Sequence, residues 1–332
     1  MPFRTAAARR TRPTGYNGAF ATRGPDAAPG PRAQAAACRR PCVSFASSHP
    51  VMTQNLVIQS LAPLSDAHHK PLLALSRGTR IVQTDAHALR IENANPAQRA
   101  DIDAYCGTHA LDFGFVDAGL TLGDFGLVVM DMDSTLITIE CIDEIADFCG
   151  LKTQVAEITE AAMRGEIRDF NESLTRRVAL LAGLDAQALE RVYDERLQLS
   201  PGAETMLAAV KAAGLKTLLV SGGFTFFAER LKARLGLDYA HANTLEIVDG
   251  KLTGRVLGEI VNGDVKARLL RDTCASLGIA PNRAIAMGDG SNDLKMMAQA
   301  GLSVAYHAKP VVRDGATVAF DHVGLDGLLR LF

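Results

Sequence analysis

Two carboxylates, Asp131 and Asp133, directly follow the apolar run Leu127–Met130, and their spacing suits chemistry on a charged group. A short apolar run of this kind predicts a buried strand of a parallel sheet. Ligands of open α/β sheets bind at the carboxyl ends of such strands. Two acids placed there repel each other unless a cation or a shared proton relieves them. The pair therefore predicts a cation-assisted site, although a polar exit from a strand would explain an isolated Asp-x-Asp equally well.

Three further segments carry polar residues that suit the same site. In chain order they are Thr217–Val220 followed by Ser221 and Gly222, the helix start Asp264–Lys266, and Ala284–Met287 followed by Asp289–Asp293. Each segment is a weak signal when it is taken alone. Their order along the chain, together with the Asp131 segment, makes the combination specific.

The four segments resemble the haloacid dehalogenase superfamily of phosphoryl-transfer enzymes, and within it the phosphoserine phosphatase family, over about residues 124–332. The resemblance implies an α/β fold: a parallel-sheet, Rossmann-like core with an inserted helical cap, preceded by a small N-terminal α/β module. It also implies hydrolysis of O-phospho-L-serine to L-serine and phosphate, the final step of serine biosynthesis, through an aspartyl-phosphate intermediate.

Asp131 is the nucleophile that this resemblance implies. An ionised carboxylate beside a phosphate dianion needs charge compensation, and Mg²⁺ is the natural choice because it prefers oxygen ligands. The family match assigns Mg²⁺ to the carboxylates of Asp131 and Asp289 and to the main-chain carbonyl of Asp133. The Asp133 side chain then protonates the leaving alkoxide and later deprotonates the attacking water, which requires a pKa near the working pH.

Phosphate binding is predicted for Lys266, Ser221 and Gly222. With Asp264 as the expected N-cap, Lys266 falls in the first helical turn, where a cation opposes the helix dipole by up to about 1 kcal/mol. A bound anion reverses that sign, although a solvated surface lysine explains the position too. Ser221 and the main-chain N–H of Gly222 would supply further donors, since glycine lets the backbone approach an oxygen closely.

Asp289, Asn292 and Asp293 cluster around a predicted helix start. Asp289 is the expected metal ligand, Asp293 supports the cluster, and Asn292 supports it and contacts substrate. A plain helix cap is the alternative for Asn292.

Substrate selection is predicted for the cap. The family comparison matches Arg177 to a carboxylate-binding arginine, and Glu140 suits the substrate's ammonium. Arg176 projects almost oppositely to Arg177 at 100° per residue and is expected to face water. Met163 and Phe170 would wall the pocket, or equally belong to the core of the cap.

About 90 residues separate Asp131 from Ser221, far more than a single crossover helix requires. Apolar stripes at helical spacing fill this gap, and Ser200-Pro201 is expected to open its last helix as N-cap and first residue. The predicted cap is 141–214, and the predicted core is 119–140 with 215–332.

Two segments precede the core. Residues 1–52 are rich in Ala, Arg, Pro and Gly, which predicts a disordered leader or sequence upstream of a true start at Met52. An organelle transit peptide and an arginine-rich nucleic-acid-binding segment are the weaker alternatives. Residues 53–118 are expected to form the small module, with strands near 55–59 and 79–82.

Charge and cysteine content limit the partners. Eight Arg against one acid give the first 50 residues a formal charge of +7, which leaves −9 for the remainder. An acidic body argues against nucleic-acid binding. The six cysteines form no Cys-x-x-Cys pair and no apolar stretch suggests a membrane span, so we expect a cytoplasmic protein that acts on a small molecule. A homodimer is compatible with the sequence.

Two rival functions remain open at this point. A relative with the same aspartyl-phosphate could pass phosphate to an alcohol such as homoserine instead of water. A non-catalytic protein phosphorylated on Asp131 as a signal is the other rival, although it would need no amino-acid pocket.

Overall fold

The computed structural model describes residues 53–332, except for the side chain of Met163. Predictions made for residues 1–52, including the start at Met52, lie outside the described residues. None of the helices within residues 53–332 combines the length and the apolar character that a membrane crossing requires.

The first part of the described chain is a four-stranded antiparallel sheet with two helices. Its elements are β1 (Gln54–Gln59), α1 (His69–Ser76), β2 (Arg80–Asp85), β3 (Ala88–Ala94), α2 (Arg99–His109) and β4 (Asp112–Asp117). The strand order is β2-β3-β1-β4. Leu72 of α1 and Ile102 of α2 share one apolar cluster with Leu56 and Ile58 of β1, so both helices cover the same face of this sheet. Strands β3 and β4 were not predicted individually.

The rest of the chain alternates strands and helices. The strands are β5 (Leu127–Met130), β6 (Lys216–Phe224), β7 (Tyr239–Val248), β8 (Lys251–Leu257), β9 (Ala284–Gly288), β10 (Leu302–Tyr306) and β11 (Val318–Phe320). The helices are α3 (Cys141–Phe148), α4 (Lys152–Met163), α5 (Phe170–Ala179), α6 (Gln187–Glu195), α7 (Ala203–Ala212), α8 (Thr225–Leu235), α9 (Gly263–Ser276), α10 (Leu294–Met297) and α11 (Pro310–Gly315).

Strand β5 lies at the centre of a parallel sheet ordered β11-β10-β9-β5-β6-β7. Its four residues are all buried, because Val128 and Met130 enter one apolar cluster while Leu127 and Val129 enter another. A strand covered on both faces reads as a continuous apolar run, as the sequence predicted. The α/β class with a parallel, Rossmann-like core is confirmed.

The N-terminal sheet and the core sheet are continuous, which the sequence did not predict. Strand β4 pairs antiparallel with β11, so eleven strands form one sheet within the described residues. Gly114 makes this approach possible, since a Cβ there would lie 2.6 Å from a methyl carbon of Val318. Beside the junction, the buried Asp112 carboxylate accepts the backbone N–H groups of Asp321, His322 and Val323 at 2.8–2.9 Å.

Replacement of Asp112 should weaken this junction. We expect Asp112→Ala to lower the free energy of unfolding by about 3 kcal/mol, because three backbone N–H groups at a buried or partly buried position lose their carboxylate acceptor. Urea denaturation of the variant measures the change. Asp194→Ala, at an exposed position of α6, is the matched control and should shift the free energy by less than about 0.5 kcal/mol. A similar small shift for Asp112→Ala would contradict this account of the junction.

One detail of the predicted cap is wrong. The helix expected from Ser200-Pro201 begins at Ala203, with Gly202 as N-cap at φ 76°. A Cβ at Gly202 would lie 2.1 Å from Asp326, so the tight turn into this helix needs glycine. Helix α7 packs against β6 and the C-terminal turn Leu325–Leu331, and the predicted end of the cap at residue 214 stays a prediction. The four helices α3 to α6 lie between β5 and α7 along the chain.

Candidate active site

The chain leaves β5 through a sharp turn that carries the two carboxylates predicted to be catalytic. Asp131 and Asp133 are both extended, whereas Ser134 adopts a left-handed conformation at φ 55° that reverses the chain. The backbone N–H of Met132 donates to Asp131 Oδ1 at 2.7 Å and orients that carboxylate. Both acids are buried, at 5% and 9% exposure. The turn therefore presents two buried acids at the carboxyl edge of the sheet.

Lys266 reaches this edge from α9 and is completely buried. Its Nζ lies 2.7 Å from Asp131 Oδ2 and 2.8 Å from Asp293 Oδ1. Burial alone would lower the pKa of Lys266, but the two carboxylates raise it above its ordinary value, so the lysine stays charged. Lys266 is therefore a buried cation beside the proposed nucleophile, and the alternative of a solvated surface lysine is excluded.

The N-cap of α9 differs from the predicted one. Asn262, not Asp264, holds this position, and its side chain accepts the backbone N–H groups of Asp264 and Val265. Asp264 lies in the first turn and pairs with Lys295. The two residues both cap helices well, so composition alone could not decide between them.

Three carboxylates converge within the described part of the chain. Oxygen atoms of Asp131, Asp289 and Asp293 all lie within 4.8 Å of one another. Thr135 Oγ1 donates to Asp289 Oδ1 at 3.3 Å, and Gly290 N–H donates to Asp293 Oδ2 at 3.1 Å. An all-oxygen cluster of this kind fits a hard divalent cation. We therefore regard these residues as able to hold a metal ion.

The electrostatics of the cluster agree with this fit. Burial and the neighbouring acid Asp293 raise the pKa of Asp131 well above its usual range, although Lys266 opposes the shift. The same causes, burial first and then Asp293, raise the pKa of Asp289 to about 7. A dication among these oxygens would lower both pKa values, because positive charge favours the ionised carboxylate.

Asp133 has the properties of a group that exchanges protons. Burial and the nearby Glu140 raise its pKa to about 8, while hydrogen bonds from Cys141 oppose the shift. A Cβ at Gly223 would lie 2.6 Å from Asp133 Oδ2, so the bare glycine leaves room for this carboxylate. A pKa near neutrality is the condition for acting alternately as acid and base.

Ser221 and Gly222 lie at the end of β6, which continues through Phe224 beyond its predicted end. Ser221 Oγ accepts the backbone N–H of Gly223 at 2.8 Å. The side chain of Asn243, in β7, donates to Gly222 O at 2.7 Å and accepts from Val261 N–H at 2.8 Å. The end of β6 that carries the predicted phosphate donors is thus held in place by a side chain of the neighbouring strand β7.

Cap and core enclose a cavity of about 520 Å³ beside these residues. From the core it is lined by Asp131, Asp133, Ser221, Gly222, Asp289 and Asn292. From the turn and the cap it is lined by Glu140, Asp143, Phe170 and Arg177. Ser134 Oγ donates to Glu140 Oε1 at 2.7 Å. The proposed nucleophile and the proposed amino-acid contacts therefore face one space.

Helix α5 brings two of the predicted residues, Phe170 and Arg177, to this cavity. Phe170 packs against Gly222, where a Cβ would lie 2.9 Å from its ring. Arg177 faces the cavity, whereas Arg176 is exposed and pairs with Glu172. Met163, at the end of α4, has no described side chain, so its predicted contact stays a prediction.

Several residues of the site were not assigned a role from the sequence. Thr135 contacts Asp289, Asn243 contacts Gly222, and Asp143 faces the cavity. Asn171 accepts a hydrogen bond from the Asn262 side chain at 3.0 Å. Thr135 lies two residues after Asp133, and Asp143 lies three residues after Glu140, so nearness to a predicted site residue was an available signal. Asn243 lies in β7, about 20 residues along the chain from Gly222, and no predicted site residue is nearer to it in sequence.

The comparisons with known proteins agree with this geometry. A family model described as haloacid dehalogenase-like hydrolase matches residues 128–298, and one described as a domain of unknown function, DUF4072, matches residues 56–102. A phosphoserine phosphatase from Polaromonas sp. (strain JS666) is 59% identical over 216 residues, which cover 64% of this chain and 92% of that protein.

Two solved structures extend the comparison. A haloacid dehalogenase family hydrolase from Salmonella enterica serovar Typhi is 36% identical with a TM-score of 0.77, over 84% of this chain and 98% of that chain. A phosphoserine phosphatase in the form of a phospho-aspartyl intermediate analogue is 38% identical with a TM-score of 0.59, over 62% of this chain and 98% of that chain.

Proposed function

The chain belongs to the haloacid dehalogenase-like hydrolase family, and from that premise we propose that it is a phosphoserine phosphatase that converts O-phospho-L-serine to L-serine and phosphate. The observation that carries the substrate is the position of Glu140 and Arg177. Both face the cavity that Asp131 faces, and an acid with an arginine suits the ammonium and the carboxylate of an amino acid.

We propose that Asp131 attacks phosphorus while the bond from phosphorus to the serine oxygen breaks. Asp133 donates its proton to that leaving oxygen and then accepts a proton from the water that cleaves the aspartyl-phosphate. Hydrolysis releases phosphate and regenerates the Asp131 carboxylate. The raised pKa of Asp133 supports both of its duties, and the phospho-aspartyl form of a related phosphatase supports the intermediate.

Lys266, Ser221 and the N–H of Gly222 are the proposed phosphate contacts. We propose that the Asp131 and Asp289 carboxylates and the Asp133 carbonyl hold Mg²⁺, which when bound supplies the positive charge that lets two anions approach. Asp293 supports this set, because its oxygens bind Lys266 and Gly290. Asn292, Phe170 and Met163 complete the proposed substrate pocket.

The proposal extends to the setting of the enzyme. The four cysteines within the described residues are free, and three of them are buried, which supports a reducing, cytoplasmic location. Residues 53–118 are proposed as a distinct module on the shared sheet. A homodimer stays a prediction.

Phosphate release across a panel of small phosphomonoesters tests the function. We expect phosphoserine to be the best substrate by kcat/KM, with activity lost after chelation and restored by Mg²⁺. Phosphoethanolamine lacks the carboxylate and 3-phosphooxypropanoate lacks the ammonium, so both should be poorer substrates. Equal rates on all three esters would contradict the proposal, and accumulation of phosphohomoserine when homoserine is added would indicate phosphate transfer instead.

A further inference from the structure

Asp143 lines the cavity but has no part in the mechanism described above. It lies on α3, three residues after Glu140, and faces the same space as Arg177 on α5. Its Oδ1 atom is buried and has no hydrogen-bond partner among the described residues. The Nε atom of Arg177 is buried and unpartnered in the same way. One buried atom of each of two oppositely charged side chains that line the cavity is therefore without a hydrogen-bond partner.

The other acids near Arg177 have different tasks. Glu140 accepts a hydrogen bond from Ser134, and Asp133 lies beside the nucleophile. Burial lowers the pKa of Arg177, and among the nearby acids Asp143 opposes this shift most, ahead of Glu140 and Asp133. Reciprocally, burial raises the pKa of Asp143 while Arg177 is the strongest attraction opposing that shift. Asp143 is thus the acid most closely coupled to this guanidinium.

Asp143 and Arg177 are nevertheless not in direct contact, since no ion pair within 4.0 Å joins them in the described structure. A water molecule between the two groups would satisfy both unpartnered atoms. The guanidinium has five N–H donors in a fixed fork, and a carboxylate takes two of them. If Asp143 engages the Nε side of the Arg177 guanidinium, N–H groups of the two terminal nitrogens stay available to a ligand.

We propose that Asp143 is a positioning residue that orients the Arg177 guanidinium, so that its terminal nitrogens meet the carboxylate of the substrate. This inference rests on the proposed function, because it assigns the carboxylate of phosphoserine to Arg177. Asp143 acts through Arg177 and touches neither the phosphate nor the ammonium.

Steady-state kinetics of Asp143→Asn on three esters test this role. With the full chain and Mg²⁺, we expect kcat/KM to fall about ten-fold on phosphoserine and on 3-phosphooxypropanoate, mainly through KM, because both carry the carboxylate. Phosphoethanolamine lacks it and should change less than about two-fold, which also shows that the variant is folded. Removal of a negative charge would by itself favour an anionic ligand, so a loss indicates lost orientation.

Two further variants sharpen the test. Asp147→Asn, one turn later on α3, is the matched control: its carboxylate pairs with Lys152 and Arg196, and it should leave all three esters unchanged. Asp143→Asn should add little to Arg177→Ala in a double variant, because both changes remove one interaction.

Three results would overturn the inference. A loss confined to phosphoserine and phosphoethanolamine would assign Asp143 to the ammonium. An equal loss on all three esters, or no loss, would show that it does not act through the carboxylate. A wild-type enzyme that does not distinguish the three esters would overturn the proposed function, and this inference with it.

Discussion

Asp131→Asn should reduce phosphoserine turnover at least about 1,000-fold, because an amide cannot form the covalent intermediate. The fold should survive the change. Asn is nearly isosteric, Lys266 keeps its contact with Asp293 at 2.8 Å, and a buried acid with a raised pKa is lost. Single-turnover phosphate release measures the rate, and thermal unfolding monitors the fold.

The control for this prediction is Asp194→Asn, the same exchange at an exposed position. It should leave kcat and KM at wild-type values. If Asp131→Asn retained more than about one tenth of wild-type turnover while folded, Asp131 would not be the nucleophile, and the mechanism proposed for Asp133 would lose its basis.

Arg177→Ala should lower kcat/KM for phosphoserine by about 30-fold or more. The lost contact is charge-assisted and lies in a partly buried site, where removal of one partner costs about 2 to 5 kcal/mol. Turnover of phosphoethanolamine, which has no carboxylate, should fall far less. The ratio of the two kcat/KM values is therefore the quantity to measure.

Arg176→Ala is the matched control on the same helix. Arg176 is exposed and paired with Glu172, so its removal should change the ratio less than about two-fold. Equal losses on both esters for Arg177→Ala would mean that Arg177 supports the structure of the cap. A large effect confined to Arg176 would reverse the assignment of the two arginines.

The sequence predicted the fold and the site best where a pattern of residues had a single physical explanation. Strand β5 was predictable because it is buried on both faces, and Asp131 because its position at the strand end follows from that burial. The place of Lys266 in the site could be predicted only from the helix dipole and the family resemblance, and its complete burial was not predicted. Asn262 was missed as the N-cap because Asp264, two residues later, is an equally good capping residue.

Long-range pairing accounts for most of what could not be predicted. Strand β11 has three residues, too few for any periodicity to emerge, and its pairing with β4 joins segments about 200 residues apart. The presence of Asp143 and Arg177 in one cavity is a further case, since the two residues lie on different cap helices. Neither feature leaves a local pattern.

The pairing of β4 with β11 has a consequence for how the protein tolerates truncation. A chain beginning at residue 119 would turn β11 into an edge strand, with unpaired backbone groups facing outward and the amides of Asp321, His322 and Val323 without their acceptor. Exposed strand edges of this kind recruit other chains. Because β4 covers this edge in the full chain, we expect removal of the N-terminal module to promote self-association.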